Sequence, residues 1–341
     1  MKKVEYIIVG GGFAALFFAH RLIQEGISFI LFAEEGKTAS NISAGMVNPV
    51  VLKKFTTFDN ALSQISELRK VLGEMEAYTG QDTLIDQPIH RIFHDEKEKE
   101  TWLKKSEDEN LSVFLNRSFV AVEGVNNPFG CGVVEQSFRI DVPLFFSSFF
   151  DYLESKGQLI RKRFEHSKIN TETNQYGDIN FSKIVFAEGI GVRNNPFFRE
   201  IPIIVNKGHH LSIKINGFNQ EKTFKKKHFL LPLSDGEYYY GGTYDRENET
   251  EQIDANAVEQ LESGLKEIVG DDYEIVRVEY AFRPTTRDRK PILGQHKEHK
   301  NFYVFNGLGA RGLLNGVHYS QALFNHIEKG EPIPEEAKSG R

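Results

Sequence analysis

The stretch YIIVGGGFAALFFAH, Tyr6 to His20, constrains the fold more than any other part of this 341-residue chain. A short β-branched and aromatic run, Glu5 to Val9, has the pattern of a buried strand. Three glycines follow at once, and Phe13 to Gln24 then reads as a helix that stops near Gly26. Ile27 to Phe32 is a second apolar strand. Strand, glycine turn, helix and strand in this order open a Rossmann-type sheet. Gly10-Gly11-Gly12-Phe13-Ala14-Ala15 has the form GxGxxA. Gly10 permits the tight turn, Gly12 lets the backbone approach a pyrophosphate, and Ala15 lets helix and strand pack closely. The helix N-terminus adds free amides and the positive end of a dipole. The sequence therefore predicts a dinucleotide at this turn.

An acidic side chain for the ribose is expected at the end of the second strand. The usual spacing lands on Ala33, so Glu34 or Glu35 must reach the ribose from a shifted position. No basic residue stands there, which disfavours a ribose 2′-phosphate and hence NADP.

Further along, Glu67 to Tyr78 reads as a helix. His94 to Asn110 is dense in charge and reads as a solvated helix anchored by Trp102 and Leu103. Arg139 to Leu153 contains a Pro-initiated helix that stops at Gly157 and leads to a strand around Gln158 to Arg163. Its phenylalanines, in VPLFFSSFFDYL, suit either a core-facing stripe or a membrane surface, and the stripe is the favoured reading. Lys183 to Ala187 and Asn301 to Phe305 are buried-type strands, and Gly316 to Lys329 is a closing helix. Between them, Pro202 to Tyr244 alternates in hairpin fashion, Ala255 to Val269 is helical and Tyr273 to Phe282 is strand-like. The pattern predicts an α/β fold: a discontinuous Rossmann-type nucleotide-binding unit (1–80, 140–205, 281–341) with an inserted α+β antiparallel-sheet substrate unit (81–139, 206–280).

Composition removes several classes. A net charge of −6 gives no global attraction for nucleic acid or anionic lipid. The only compact basic run, TFKKKH (Thr223 to His228), reads as an exposed hairpin end. The single cysteine, Cys131, excludes an intrachain disulfide framework and any CxxC metal site, and fits a reducing, cytoplasmic setting. His296 and His299 have no carboxylates converging on them in sequence, so no metal site is expected. No segment reaches the roughly eighteen apolar residues of a membrane span. The N-terminus imitates a signal peptide, but Glu5 and the glycines interrupt it, and cleavage would destroy the nucleotide turn.

A second glycine cluster, FNGLGARGLLNG (Phe305 to Gly316), lies some three hundred residues from the first. With it come ASNISAGMVNP (Ala39 to Pro49) and AFRPTTRDRKPILG (Ala281 to Gly294). Lesser segments run between: RIDVPLFF, FEHSKI, KIVFAEG, PIIVNKGHHLSI and LLPLSDGEYYYGGTYD. In this order they resemble the FAD-dependent D-amino-acid oxidase superfamily over nearly the whole chain. The likeness extends to its glycine oxidase and sarcosine oxidase-like members, and to the oxidase domain of the bifunctional tRNA 5-methylaminomethyl-uridine enzyme.

The resemblance implies FAD, a ligand long enough to need both loops. It places Phe13, Ala14, Ala33 and Glu34 near the ADP half and Ile169 near the adenine. Ala39, Ser40, Ala44, Gly45 and Met46 would lie beside the flavin. Gly309, Ala310, Arg311, Gly312, Leu313 and Leu314 would line the isoalloxazine. The sarcosine-oxidase branch tethers its flavin to a cysteine near the position of Arg283; this chain has none there, which implies noncovalent FAD. Arg283 and Arg311 match family positions associated with a substrate carboxylate, a role suited to a planar guanidinium fork. Arg287 and Arg289 are expected to face solvent. Tyr240, Tyr244 and His210 sit where the inserted sheet should face the flavin, and alternation leaves open which of them point inward.

The activity implied is oxidation of the C–N bond of a small amine or amino acid. Hydride passes to flavin N5, the imine hydrolyses and O2 becomes hydrogen peroxide. The alternatives are oxidation of a tRNA wobble carboxymethylaminomethyl-uridine, which is not favoured, and a quinone-linked amine dehydrogenase. A binding module without redox chemistry is disfavoured by the flavin-facing loop and both arginines. No motif assigns an oligomeric state.

Overall fold

The computed structural model describes residues 2–234 and 236–340. Five parallel strands form the centre of one sheet, in the spatial order Leu159–Ile160, Phe29–Phe32, Lys2–Val9, Ile179–Phe186 and Phe302–Asn306. Ile292–Gln295 adds an antiparallel edge. In the central strand Tyr6 to Val9 are buried without a break, as a strand covered on both faces requires. Tyr6 and Ile8 face the cluster that holds helices Phe13–Gln24 and Gly312–Lys329, whereas Ile7 and Val9 face a second apolar layer.

The second sheet has eight strands and is mainly antiparallel. Their order is Tyr273–Thr285, Ile204–Ile215, Tyr238–Gly241, Phe229–Pro232, Thr223–Lys225, Ile89–Ile92, Cys131–Val134 and Leu115–Val120. Helix Ala255–Val269 covers one face, where Leu261 and Leu265 pack with Leu211 and Tyr240. The expected α/β class with an antiparallel sheet is therefore the observed one. The expected boundary at 280/281 falls inside one continuous strand, so Arg283 belongs to the antiparallel sheet. Strands Ile89–Ile92, Leu115–Val120 and Cys131–Val134 were not expected. The first reads Ile-His-Arg-Ile, whose buried polar pair hides the pattern.

Helix boundaries differ in instructive ways. Ala61–Thr79 begins six residues before the expected Glu67, because its first turns are mixed in polarity; Gly80 ends it in a left-handed conformation. The closing helix begins at Gly312, not Gly316, so the second half of the C-terminal glycine cluster is helical. In the charge-dense segment, Glu96–Lys105 is capped by Asp95, whose carboxylate accepts the Glu98 N–H at 2.7 Å. Trp102 is fully buried there, and its indole N–H donates to the Asn116 carbonyl at 2.8 Å. The phenylalanine-rich helix, Val142–Ser155, turns Phe145, Phe146 and Phe149 into the core. Among the described residues no helix is long and apolar enough to cross a membrane.

The first and last helices touch through glycines. A Cβ on Gly312 would lie 2.8 Å from the Phe13 ring, and one on Gly316 would lie 2.6 Å from the Phe17 ring. Glycine inside a helix costs about 1 kcal/mol relative to alanine, so replacement should stabilise wherever space allows. Forcing a methyl into a packed contact costs about 1–3 kcal/mol, which outweighs that gain. Gly316→Ala is therefore expected to lower the urea midpoint. Gly73→Ala, in helix Ala61–Thr79 with nothing within 4 Å of the added carbon, is expected to raise it. Parallel urea titrations of both variants check the contrast; a stabilised Gly316→Ala would contradict the packing argument.

Candidate cofactor and substrate site

One cavity of about 1360 Å³ opens between the two sheets. It exceeds the roughly 300–1,000 Å³ of a pocket for one small ligand. Both glycine loops line it, Gly10 to Ala14 and Gly309 to Leu314, as do Ala39, Ser40 and Ala44 to Met46. Where the first loop turns, Gly10 has φ +126°, and a Cβ there would lie 2.2 Å from the Ala187 carbonyl oxygen. Gly12 precedes the first helix without a side-chain cap, and no acidic residue occupies the helix's first turn. The Ser40 hydroxyl accepts the Phe13 N–H at 3.2 Å. Gly45 has φ +63°, with the Ile140 carbonyl 2.5 Å from the place of a Cβ. Ser43 Oγ is buried on the cavity wall without a partner.

Arg311 precedes the closing helix and lies over the Phe58 ring, 4.3 Å from its centroid. Burial, and secondarily the charge of Arg289, lowers its pKa. Arg287 and Arg289 themselves are exposed. The Gly309 N–H donates to the Pro284 carbonyl at 3.0 Å, which ties the glycine loop to the strand that carries Arg283. Ala33, Glu34 and Ile169, expected around the ADP half, do not line the cavity. Ala33 packs against the turn, 3.1 Å from where a Gly11 Cβ would stand. Glu34 is exposed and Ile169 packs on the layer beneath the parallel sheet.

The antiparallel sheet supplies the opposite wall. Arg283 Nη1 donates to the Thr243 carbonyl at 2.9 Å and to Asn206 Oδ1 at 3.3 Å. Its guanidinium lies over the Tyr244 ring, 4.5 Å from the centroid. It runs through a window of glycines: a Cβ on Gly208 would stand 2.2 Å from Nη1, and one on Gly242 2.9 Å from Nη2. Among the described residues no carboxylate pairs with it. Tyr244 is 65% exposed at the rim. His210 is buried, stacks on Tyr239 at 4.5 Å and places Nε2 3.3 Å from Glu279. Tyr239 lines the cavity. Tyr240 points to the other face, where its hydroxyl is buried against helix Ala255–Val269 without a partner.

Several lining groups escaped the sequence reading. Glu279 takes His210, Lys37 and Arg277 as partners, and the hydrogen bond from His210 is the main cause of a carboxyl held well below its usual range. His209 Nε2 accepts the Asp254 N–H at 3.1 Å, which puts its proton on Nδ1, left unpartnered beside the cavity. The basic run at 225–227 is a hairpin end, as expected: Lys225 stands on the cavity wall, Lys226 pairs with Glu267 of helix Ala255–Val269, and Lys227 is exposed. Cys131 lies in the core of the antiparallel sheet, with its thiol pushed up to about 12 by burial.

A family model described as FAD dependent oxidoreductase matches residues 5–323. The chain belongs to that family. Glycine oxidase of Bacillus subtilis (strain 168) is 23% identical over 338 residues, covering 92% of this chain and 90% of that protein. The crystal structure of glycine oxidase from Geobacillus kaustophilus matches with a TM-score of 0.74 at 18% identity, covering 97% of this chain and 96% of that one. Iminodiacetate oxidase from Chelativorans sp. BNC1 gives 0.78 at 16% identity, over 98% and 100% of the two chains. The protein is thus an FAD-dependent oxidoreductase. Its cavity fits FAD by two independent features: the glycine cradle at Gly10 and the orphaned Ser43 hydroxyl on the cavity wall.

Two predictions concern this wall-to-wall arrangement. Gly10→Ala should emerge from purification with at least about tenfold weaker flavin retention, since the methyl collides with backbone; full occupancy after gel filtration would contradict the cradle. Glu279→Gln should cost about 1–2 kcal/mol at pH 7 in urea unfolding, trimmed by solvent at the Lys37 end. A depressed carboxyl stabilises the fold above its unfolded pKa and loses that contribution as pH falls through the folded value. The gap between native and variant should therefore narrow from pH 5 to pH 3; a constant gap would count against the ion pair.

Proposed function

We propose that this oxidoreductase oxidises the C–N bond of a small amine or amino acid that carries a carboxylate, using noncovalently held FAD. The observation that carries this reading is Arg283. Its guanidinium stands in the cavity wall with only neutral acceptors, the Thr243 carbonyl and the Asn206 amide oxygen. Such a fork suits bidentate capture of a carboxylate. Bound FAD supplies the hydride acceptor and is reoxidised by O2 with release of hydrogen peroxide.

The chain's own residues would orient and shield. Arg283 holds the carboxylate, while Tyr244 covers one side of the guanidinium and limits water at the rim. Arg311 adds a second cation from the glycine loop. The amides at the start of helix Gly312–Lys329 offset negative charge that develops at the cofactor edge. His210 is tied to Glu279 and stacked on Tyr239, so it is a positioning residue that fixes the pocket floor. The substrate's Cα–H leaves with its electron pair and the nitrogen loses a proton. The resulting imine is hydrolysed by water to a carbonyl and the released amine. Noncovalent attachment is supported by the place of Cys131, which packs with Leu211 and Tyr240 in the core under helix Ala255–Val269 and does not line the cavity. The tRNA alternative gains no support from charge, since the net charge is −6 and Lys226 of the one compact basic run is matched by Glu267.

The test is anaerobic reduction of the holoprotein by a panel of glycine, sarcosine, proline and D-amino acids, with matching amines that lack the carboxylate. A carboxylated amine should bleach the flavin band. Arg283→Met should weaken its binding about 10- to 100-fold, as expected for loss of a charge-assisted hydrogen bond, and leave the decarboxylated amine almost unchanged. If dithionite bleaches the protein and no member of the panel does, the amine reading fails.

A further inference from the structure

The wall that carries Arg283 continues into a row of directly paired residues that crosses the antiparallel sheet. Glu279 pairs with His210, His210 with Gly241, Gly241 with Phe229, Phe229 with Lys225, and Lys225 with Arg91. Directly opposed residues share one face of a sheet, and this face lines the cavity from Glu279 to Arg91. The cations at the far end of the row and beside it differ in their partners. Arg91 is matched by Glu98, through both Nε and Nη2, and Lys226 is matched by Glu267 at 3.1 Å. Lys225 has no carboxylate among the described residues. Its Nζ donates to the Lys227 carbonyl at 2.8 Å and lies 4.3 Å from the centre of the Phe229 ring.

An ammonium partly withdrawn from water beside a second cation is costly unless something negative meets it. Burial, and then the charge of Arg91, brings the Lys225 pKa down to about 7. Two strand spacings separate Lys225 from Gly241, which is about 10 Å. The Arg283 guanidinium lies against the next residue, Gly242. Two cations thus stand at the ends of one open trough floored by Phe229.

We infer that the substrate carries a second anionic group, a carboxylate or a phosphate, across the trough from the carboxylate held by Arg283, and that Lys225 receives it. This rests on the amine-oxidation reading and narrows it to amino acids or N-substituted amino acids with an anionic far end. A monocarboxylate such as glycine would leave Lys225 unanswered.

The experiment uses redox-inert probes on the holoprotein, so it does not depend on turnover. Suberate, with a carboxylate at each end, 7-phosphonoheptanoate, and octanoate, with one carboxylate, are titrated by calorimetry. The native protein should bind at least one two-anion probe tenfold or more tightly than octanoate, and the tighter of the two identifies the anion. Lys225→Met should bring that ratio to near one without weakening octanoate, and Lys225→Arg should restore most of it. A native ratio near one, or a ratio unchanged in Lys225→Met, overturns the inference. A hairpin-closing role alone predicts equal losses for all three probes, and that result overturns it as well. Arg283→Met should weaken all three probes. If it weakens none, the carboxylate clamp of the amine reading fails, whatever Lys225 does.

Discussion

The architecture depends on one contact, the glycine face of the closing helix pressed on Phe13 and Phe17 of the first. Gly312 and Gly316 are four residues apart and so lie one above the other on the helix. Phe13 and Phe17 have the same spacing on their own helix, with rings 6.0 Å apart. Phe145 and Phe146 close over Phe13 from the side. A larger side chain at either glycine would separate the helices, and with them the two glycine loops that begin each one. Chain ends three hundred residues apart thus become two lips of one cavity. The start of the first helix faces the cavity as well, where the Ser40 hydroxyl accepts the Phe13 N–H.

Across the cavity the electrostatic logic reverses. Glu279 has three cationic or potentially cationic partners, His210, Lys37 and Arg277, and is pulled strongly toward its charged form. Arg283, four residues along the same strand, has none. Both side chains start on the same face, because residues i and i+4 of a strand do, so the difference lies in what surrounds them. Gly208 and Gly242 remove the side chains that would block the guanidinium, and the carbonyl of Thr243 fixes it without neutralising it. This end of the wall leaves Arg283 without a counter-charge, while the cations around Glu279 are matched by it. A structural salt bridge would have the opposite arrangement.

Much of this was legible in the chain. Strand Lys2–Val9, its glycine turn and helix Phe13–Gln24 declare themselves, since each carries a local signal: apolar continuity, φ-permissive residues, then helical spacing. Arg283 and the loop at 309–314 were marked by their motifs and do line the cavity. What remained hidden needed tertiary information. In YYYGG the residues are nearly identical, so periodicity gives no phase; only pairing with Ile204–Ile215 shows that Tyr239 faces the cavity while Tyr240 faces helix Ala255–Val269. The first turn of the closing helix was hidden by its glycines, which read as loop until Phe13 is seen against them. Ala33 and Ile169 show the converse, where a family position is present in sequence but its side chain is spent on packing.

The basic run at 223–228 makes the point most sharply. As a hairpin end it was read correctly, and an exposed hairpin end is the ordinary place for lysines. Which way a hairpin end faces is set by the strands it joins, and here one of them, Thr223–Lys225, runs parallel to Ile89–Ile92, a strand from a distant segment. That pairing turns Lys225 and Arg91 to the same face and brings Glu98 from the following helix to Arg91. Alternate residues of a short polar strand carry no apolar signature, so no local rule could have placed them. The consequence is physical: a lysine on an outer hairpin would be solvated at little cost. On this wall its charge is costly, and a counter-charge brought by the ligand would offset that cost.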